Sequence, residues 1–132
     1  MQLNKKPCAI LVVDDDPAIR AMMVDILDLE GYMAYTARNG QEALEKIRQA
    51  GDQERYLLFL DLMMPVMDGR ELCAHLNADP ELRARHVIVL MSALDRLQQA
   101  GALNVDATMP KPFMIDDMMR IIQTYCEQDT LV

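Results

Sequence analysis

Acidic, hydroxyl and amine side chains follow apolar runs at four widely separated places in the sequence. Three consecutive carboxylates, Asp14 to Asp16, follow the first run, and Asp61 follows a later one. Ser92 and Lys111 end two further runs. If these runs are strands of one parallel sheet, their carboxyl ends meet at the same edge, and the four groups are expected to share a pocket.

A pocket of this composition is suited to a divalent cation and a phosphoryl group. Carboxylates held together repel one another, and a hard cation such as Mg²⁺ relieves the repulsion through oxygen ligands. A carboxylate beside Mg²⁺, a lysine and a hydroxyl can carry out phosphoryl transfer, because catalysis there is mainly positioning and charge neutralisation. Asp61 is the predicted nucleophile, and its product is an aspartyl phosphate.

The segments that would position these side chains alternate between strand and helix patterns. Nearly continuous apolar runs, typical of strands buried on both faces of a parallel sheet, occur at residues 8–13, 56–60 and 87–91. Weaker strand candidates are residues 33–36 and 105–109. Five strands, each followed by a helical pattern, predict a single α/β domain with a parallel sheet and helices on both faces.

Helical periodicity fills the stretches between these strands. The first helix is expected between Pro17 and Gly31, with Asp16 as its N-cap. The later helices are predicted to begin after Asn39 and near Asp68, with a short one at about 94–100 and a last one at 115–125. The methionines of the first and last helices are assigned to the core: Met22, Met23, Met118 and Met119.

The cysteines and histidines are given no chemical role. Cys8, Cys73 and Cys126 are odd in number and widely separated, so they are predicted to be buried small side chains in a reducing compartment. His75 and His86 stand apart from each other and from any partner in the sequence. Neither histidine is expected to bind a metal or to act in catalysis.

Four motifs that contain the candidate residues resemble those of the response-regulator receiver family. They read ILVVDDDP, LLFLDLMMPVMDG, VIVLMSA and PKPF, in family order. The resemblance implies one receiver domain over residues 1–132, with its core at about 8–126. It also implies a flavodoxin-like (βα)5 fold whose five-stranded parallel sheet has the strand order 2-1-3-4-5.

The resemblance assigns the metal site residue by residue. Asp14 and Asp15 look like the acidic pair that organises Mg²⁺, with Asp15 as the direct ligand. Asp61 and the backbone carbonyl of Met63 would complete the protein's share of the ligands. Mg²⁺ is the one cofactor that the resemblance implies.

The phosphoryl group is assigned in the same way. Asp61 matches the phosphoacceptor, Ser92 the hydroxyl that hydrogen-bonds the phosphoryl group, and Lys111 the lysine that pairs with the acceptor and then with phosphate. The Lys111-Pro112 bond resembles the family's cis peptide. The chain departs from the family at Thr108, where many members carry an aromatic switch residue. The 19 positions from Ser92 to Lys111 are also about one turn fewer than usual, so the fourth helix is expected to be short or displaced.

The resemblance implies a signalling switch in a two-component His-Asp phosphorelay rather than a turnover enzyme. A sensor histidine kinase or histidine phosphotransfer protein would supply the phosphoryl group, and an unknown downstream protein would receive the signal. The phosphoryl group would also come from small phosphodonors and would be lost slowly by autodephosphorylation. Direct contact with nucleic acid is not expected, because the formal charge is −8 and the 13 Lys and Arg residues are scattered. The apolar runs are too short to cross a membrane, and a cytoplasmic location is predicted.

Two other functions fit parts of the sequence. The Asp14-x-Asp16 pair superficially resembles the nucleophile and general acid of haloacid-dehalogenase-like phosphatases. Ala18 stands where that family places Thr or Val, and Asp61 and PKPF would have no role. The other alternative is a receiver fold that is not phosphorylated and serves as a constitutive docking module.

Overall fold

A five-stranded parallel sheet organises the computed structural model, which describes residues 8–126. The strand order is β2-β1-β3-β4-β5, as predicted, and neighbouring strands pair in parallel. In chain order the strands are β1 (Ala9–Val13), β2 (Ala34–Ala37), β3 (Tyr56–Asp61), β4 (Val87–Ala93) and β5 (Ala107–Lys111).

Helices connect the strands and cover both faces of the sheet. They are α1 (Pro17–Leu29), α2 (Gly40–Ala50), α3 (Gly69–Asn77), α4 (Pro80–Arg85), α5 (Ala100–Leu103) and α6 (Ile115–Cys126), with a 3-10 helix at Leu94–Gln99 before α5. The ends follow from local chemistry. The Asp16 carboxylate accepts the Ala18 N–H at the start of α1, and the chain turns at Gly31 with a φ of 87° after α1 ends.

Strand β1, which lies between β2 and β3, separates two hydrophobic layers because its side chains alternate between the faces of the sheet. Ile10 and Val12 pack with apolar residues of α1 and α6. Leu11 and Val13 pack with residues of α2 and α3 on the other face. All four side chains are fully buried, and each contributes about 1.5–3 kcal/mol relative to an exposed position.

The segment between α3 and β5 differs most from the sequence-based expectation. Helix α4 was not predicted, although Asp79 and Pro80 repeat the Asp-Pro start of α1 and the Asp79 carboxylate accepts the Leu82 N–H. The short helix expected at 94–100 is present but winds as a 3-10 helix and has no side-chain cap. A single turn, α5, continues it as far as Leu103.

Two of the predictions on methionine and cysteine are wrong. Met22 is 44% exposed because it lies on the outer side of α1, whereas Met23 and Met118 are fully buried. Cys8 and Cys126 are joined by a disulfide, with their Cα atoms 5.4 Å apart. The sequence separation of 118 residues hid this pair, because only the folded sheet brings α6 beside the start of β1.

His86 is buried and packs against Tyr56. Its Nδ1 accepts the backbone N–H of Tyr56 at 3.0 Å, and its ring stacks on the Tyr56 ring. Burial lowers the pKa of His86 to about 4, and the positive charges of Arg85 and Arg83 lower it further in the same direction. The folded chain therefore holds a neutral imidazole at this position.

Acid is expected to destabilise the chain through this histidine. The unfolded chain binds the proton near pH 6.5 and the folded chain only near 4, so stability is complete above pH 6.5 and falls as the pH drops through this window. The loss in free energy of unfolding is about 3 kcal/mol once the pH is below the folded pKa. Urea denaturation at several pH values measures it. His86→Gln should flatten the pH profile, and the exposed control His75→Gln should not; equal profiles would refute the assignment.

None of the helices formed by residues 8–126 combines the length and the hydropathy that are needed to cross a bilayer.

Candidate functional site

Three carboxylates meet at the carboxyl end of the sheet. Asp14 and Asp15 follow β1, and Asp61 is the last residue of β3, the strand paired directly with β1. One oxygen from each carboxylate lies within 4.8 Å of the other two. Asp14 is fully buried, Asp61 is nearly so, and Asp15 is exposed. The strand-end rule therefore placed the acids correctly, and their oxygens could hold a hard cation.

Lys111 brings a positive charge into this cluster from the end of β5. Its Nζ donates to Oδ2 of Asp14 at 2.8 Å and lies 3.2 Å from Oδ1 of Asp61. The Lys111-Pro112 peptide is cis, as the resemblance implied. One ammonium group thus bridges the carboxylates of two neighbouring strands.

The charges at the site shift two pKa values. Burial raises the pKa of Asp61, and the negative charge of Asp14 adds to this effect, while Lys111 opposes it. Burial disfavours the charged form of Lys111, but its hydrogen bond to Asp14 and the charge of Asp61 outweigh burial and raise its pKa. Three carboxylates and one ammonium group meet here, so the cluster has more acidic than basic groups, which favours a further cation.

Both carboxylate oxygens and the backbone oxygen of Asp14 accept hydrogen bonds. Its Oδ1 accepts the Asp16 N–H at 2.9 Å, and its Oδ2 accepts from Lys111. Its backbone oxygen accepts from Nη1 of Arg20 at 2.7 Å. Sequence reasoning missed Arg20, because a side chain that reaches back six positions leaves no motif. Asp16 caps α1, as predicted, and so the phosphatase-like use of Asp14 and Asp16 has no support in the geometry.

Ser92 and Met63 lie beside the acids in different ways. Ser92 is buried near the end of β4, one position beyond the partner of Asp61 in the sheet register. Met63 lies in the loop after β3 with its side chain half exposed, and its sulfur is 3.6 Å from Nη1 of Arg96. The structure thus brings Ser92 and Met63 to the same edge as the three aspartates and Lys111.

Gly69 fixes the distance between α3 and the end of β3. A Cβ atom at Gly69 would lie 2.6 Å from the backbone oxygen of Asp61 and 3.0 Å from Cα of Leu62. Asp68 and Glu71 form a capping box at this helix end, which agrees with the turn role assigned to Asp68. The sequence alone gave no sign that Gly69 must touch the backbone of the site.

Gly69→Ala is expected to destabilise the chain, because backbone atoms must move to admit the methyl group. The free energy of unfolding should fall by about 1–3 kcal/mol. Gly101→Ala is the matched control, since a Cβ atom at Gly101 would meet nothing within 4 Å. This variant should have a free energy of unfolding equal to that of wild type or higher by up to about 1 kcal/mol. Urea denaturation compares the two. Equal stabilities for both variants would contradict the close contact.

The family model for the response regulator receiver domain matches residues 10–123. The chain belongs to this family. It is therefore a receiver domain of two-component signalling, a signalling switch whose family partners are histidine kinases or phosphotransfer proteins.

Curated relatives cover the receiver domain to different extents. The response regulator MprA of Mycolicibacterium vanbaalenii is 32% identical over 127 residues, which are 94% of this chain and 52% of the relative. The chain thus spans about half the length of that relative. Sporulation initiation phosphotransferase F of Bacillus subtilis is 31% identical over 127 residues, which cover 93% of this chain and 94% of the relative.

Solved structures share the fold. The response regulator TrrA of Thermotoga maritima, in complex with Mg(2+)-BeF, has a TM-score of 0.74 and 30% identity over 89% of this chain and 97% of its own. The receiver domain of Ssk1 from Saccharomyces cerevisiae, in co-crystals with the phosphotransfer protein Ypd1, has a TM-score of 0.83 over 96% of this chain and 94% of that chain. At 21% identity, the second structure supports the fold alone.

Proposed function

We propose that the chain accepts a phosphoryl group on Asp61 in a Mg²⁺-dependent reaction and thereby changes its protein partners. The observation that carries this proposal is the meeting of the Asp14, Asp15 and Asp61 carboxylates within 4.8 Å, with Lys111 bridging two of them. A metal-binding acid cluster, a nucleophile and a counter-charge thus occupy one site.

The three carboxylates have different roles in the proposed Mg²⁺ site. Both Asp14 oxygens are engaged, by Lys111 and by the Asp16 N–H, so Asp14 organises the site. The exposed Asp15 side chain has no hydrogen bond or ion pair within residues 8–126, which favours it as a direct ligand. Asp61 and the Met63 carbonyl complete the proposed set. When bound, Mg²⁺ neutralises the carboxylates and the incoming phosphoryl oxygens.

In the transfer step an Asp61 oxygen attacks the phosphorus atom of a phosphohistidine. The new P–O bond forms as the P–N bond breaks, and the histidine nitrogen leaves with the bonding electron pair. Lys111, 3.2 Å from Asp61, is placed to donate to a phosphoryl oxygen. The buried hydroxyl of Ser92 supplies a second hydrogen-bond donor, and its bond to the phosphoryl group forms only after phosphorylation.

The phosphoryl donor is a sensor histidine kinase or a histidine phosphotransfer protein in this proposal. Exposed apolar side chains in the segments that follow β3, β4 and β5 offer such a partner a contact surface: Met63, Val66, Leu94 and Met114. The signal passes to a downstream protein, and Thr108, exposed on β5, supplies no aromatic switch. We place this single receiver domain, residues 1–132, in the cytoplasm, without direct contact to nucleic acid or membrane and without catalytic turnover.

Mass spectrometry after incubation with acetyl phosphate and Mg²⁺ tests the proposal. One phosphoryl group should be added to the chain, and peptide mapping should place it on Asp61. Chelation of Mg²⁺ should prevent labelling, while a generic phosphate ester should not be turned over. A chain that binds its partners equally well with and without acetyl phosphate, and takes up no label, would instead be a constitutive docking module.

A further inference from the structure

Arg20 ties the first turns of α1 back to the end of β1. Its Nη1 donates to the backbone oxygen of Asp14 at 2.7 Å, and the contact is partly buried. Side chains on a helix lean toward its N-terminus, and this carries the guanidinium over the turn that contains Asp14, Asp15 and Asp16. The function assigned above makes no use of this residue.

The turn Asp14–Asp16 is held by hydrogen bonds of Asp14 and Asp16, the residues on either side of the exposed Asp15. The Asp14 N–H donates to the Ala37 oxygen at 3.1 Å, and the Asp16 N–H donates to Asp14 Oδ1 at 2.9 Å. The Asp16 carboxylate accepts the Ala18 N–H and the Asp16 carbonyl accepts the Arg20 N–H, so Asp16 is fixed to α1. The Arg20 side chain supplies the contact to the Asp14 carbonyl. The Asp15 side chain has no anchor of its own among the described residues, so its direction depends on the backbone of this turn.

Two effects of Arg20 on a bound cation have opposite signs. Its positive charge near the carboxylates repels Mg²⁺, whereas its hydrogen bond keeps the turn in one conformation. The carboxylate side of the site opens to solvent at Asp15, so screening weakens the repulsion. A partly buried bond from a charged donor is among the stronger hydrogen bonds in proteins. The ordering effect is therefore expected to dominate.

We propose that Arg20 is a positioning residue that holds the Asp14–Asp16 turn so that the Asp15 carboxylate can take Mg²⁺ together with Asp61. This inference rests on the proposed function for its metal ion. It concerns the affinity for Mg²⁺ rather than the chemistry of transfer, and the two can be measured separately.

Calorimetric titration of the unphosphorylated chain with Mg²⁺ tests the role. Arg20→Met should weaken Mg²⁺ binding by about three- to tenfold, the equivalent of one charge-assisted hydrogen bond. Arg20→Lys keeps the charge and a shorter donor, and should recover part of the affinity. Arg48→Met, on the exposed side of α2, removes the same charge elsewhere and should stay within about twofold of wild type.

Labelling by acetyl phosphate gives a second readout that general destabilisation would not produce. Arg20→Met should require more Mg²⁺ for half-maximal rate, yet at saturating Mg²⁺ its rate should match wild type within about twofold. Arg20→Met binding Mg²⁺ as tightly as wild type, or more tightly, would overturn the proposal. If Arg20→Met does not fold, affinity in Arg20→Lys equal to that of wild type would overturn it too.

The outcomes also separate this inference from the proposed function. Wild type that binds Mg²⁺ but takes no label would refute Asp61 as phosphoacceptor and leave the Arg20 role standing. Wild type that binds no Mg²⁺ would refute the metal site and the Arg20 role together.

Discussion

Asp61→Asn is expected to incorporate no phosphoryl group from acetyl phosphate under conditions that label the wild-type chain. The amide has nearly the shape of the carboxylate but lacks its anionic oxygen, so the nucleophile is lost while the packing is kept. Intact-mass spectrometry over a time course, at saturating Mg²⁺, measures the difference. The effect is a complete loss of label rather than a slower rate.

The stability of the same variant provides an internal check. The pKa of Asp61 is raised by burial and by Asp14, so its ionisation costs folding free energy. A raised folded pKa means that wild-type stability falls as the pH rises through that pKa, and Asp61→Asn should lack this component. The variant should therefore be at least as stable as wild type at neutral pH.

Asp28→Asn is the matched control for Asp61→Asn, since it removes one carboxylate from the exposed side of α1. It should be labelled at the wild-type rate. Labelling of Asp61→Asn on another carboxylate, with wild-type kinetics, would show that the acceptor has been misplaced.

Reduction of the Cys8–Cys126 disulfide is expected to lower the free energy of unfolding by about 4–5 kcal/mol in the chain-entropy model. The bridge closes a loop of 118 residues, nearly the whole described chain, and so constrains the unfolded state strongly. Urea denaturation with and without dithiothreitol measures the loss. Cys126→Ala should show the low stability under both conditions.

Cys73→Ala is the control for the disulfide. Cys73 is the free cysteine among the residues that the structure describes, buried in α3, and burial raises the pKa of its thiol to about 11. Cys73→Ala should lower the free energy of unfolding, but dithiothreitol should still cause the same further loss as in wild type. Three alkylated thiols in aerobically purified, denatured chain, with no reductant added, would contradict the bridge.

The sequence was sufficient to predict the sheet and the acid cluster because both follow from short-range patterns. Buried parallel strands are continuous apolar runs, and the strand-end rule then brings Asp14, Asp61 and Lys111 together. The fifth strand was predicted at 105–109 but lies at Ala107–Lys111. It is an edge strand with exposed positions at Thr108 and Pro110, so it has no continuous apolar run to mark its ends.

The features that were missed depend on contacts between distant residues. The Cys8–Cys126 pair and the contact of Gly69 with the Asp61 backbone exist only after the chain has folded. The bond from Arg20 to the Asp14 carbonyl involves a backbone group, which no pattern of side chains reports. The roles of Ser92 and Met63 in phosphorylation stay predictions, because they concern a phosphorylated state.

At Gly69 the backbone of α3 packs directly against the end of β3, with no room for a side chain between them. Helix α3 is a stiff rod of nine residues, about 13 Å long. Its side chains form hydrogen bonds to the segment after β4: Arg70 donates to the Gln99 side chain, and Asn77 donates to the Leu103 carbonyl. The Asp61 backbone and the segment after β4 are therefore connected through α3, and this connection involves no aromatic side chain at position 108.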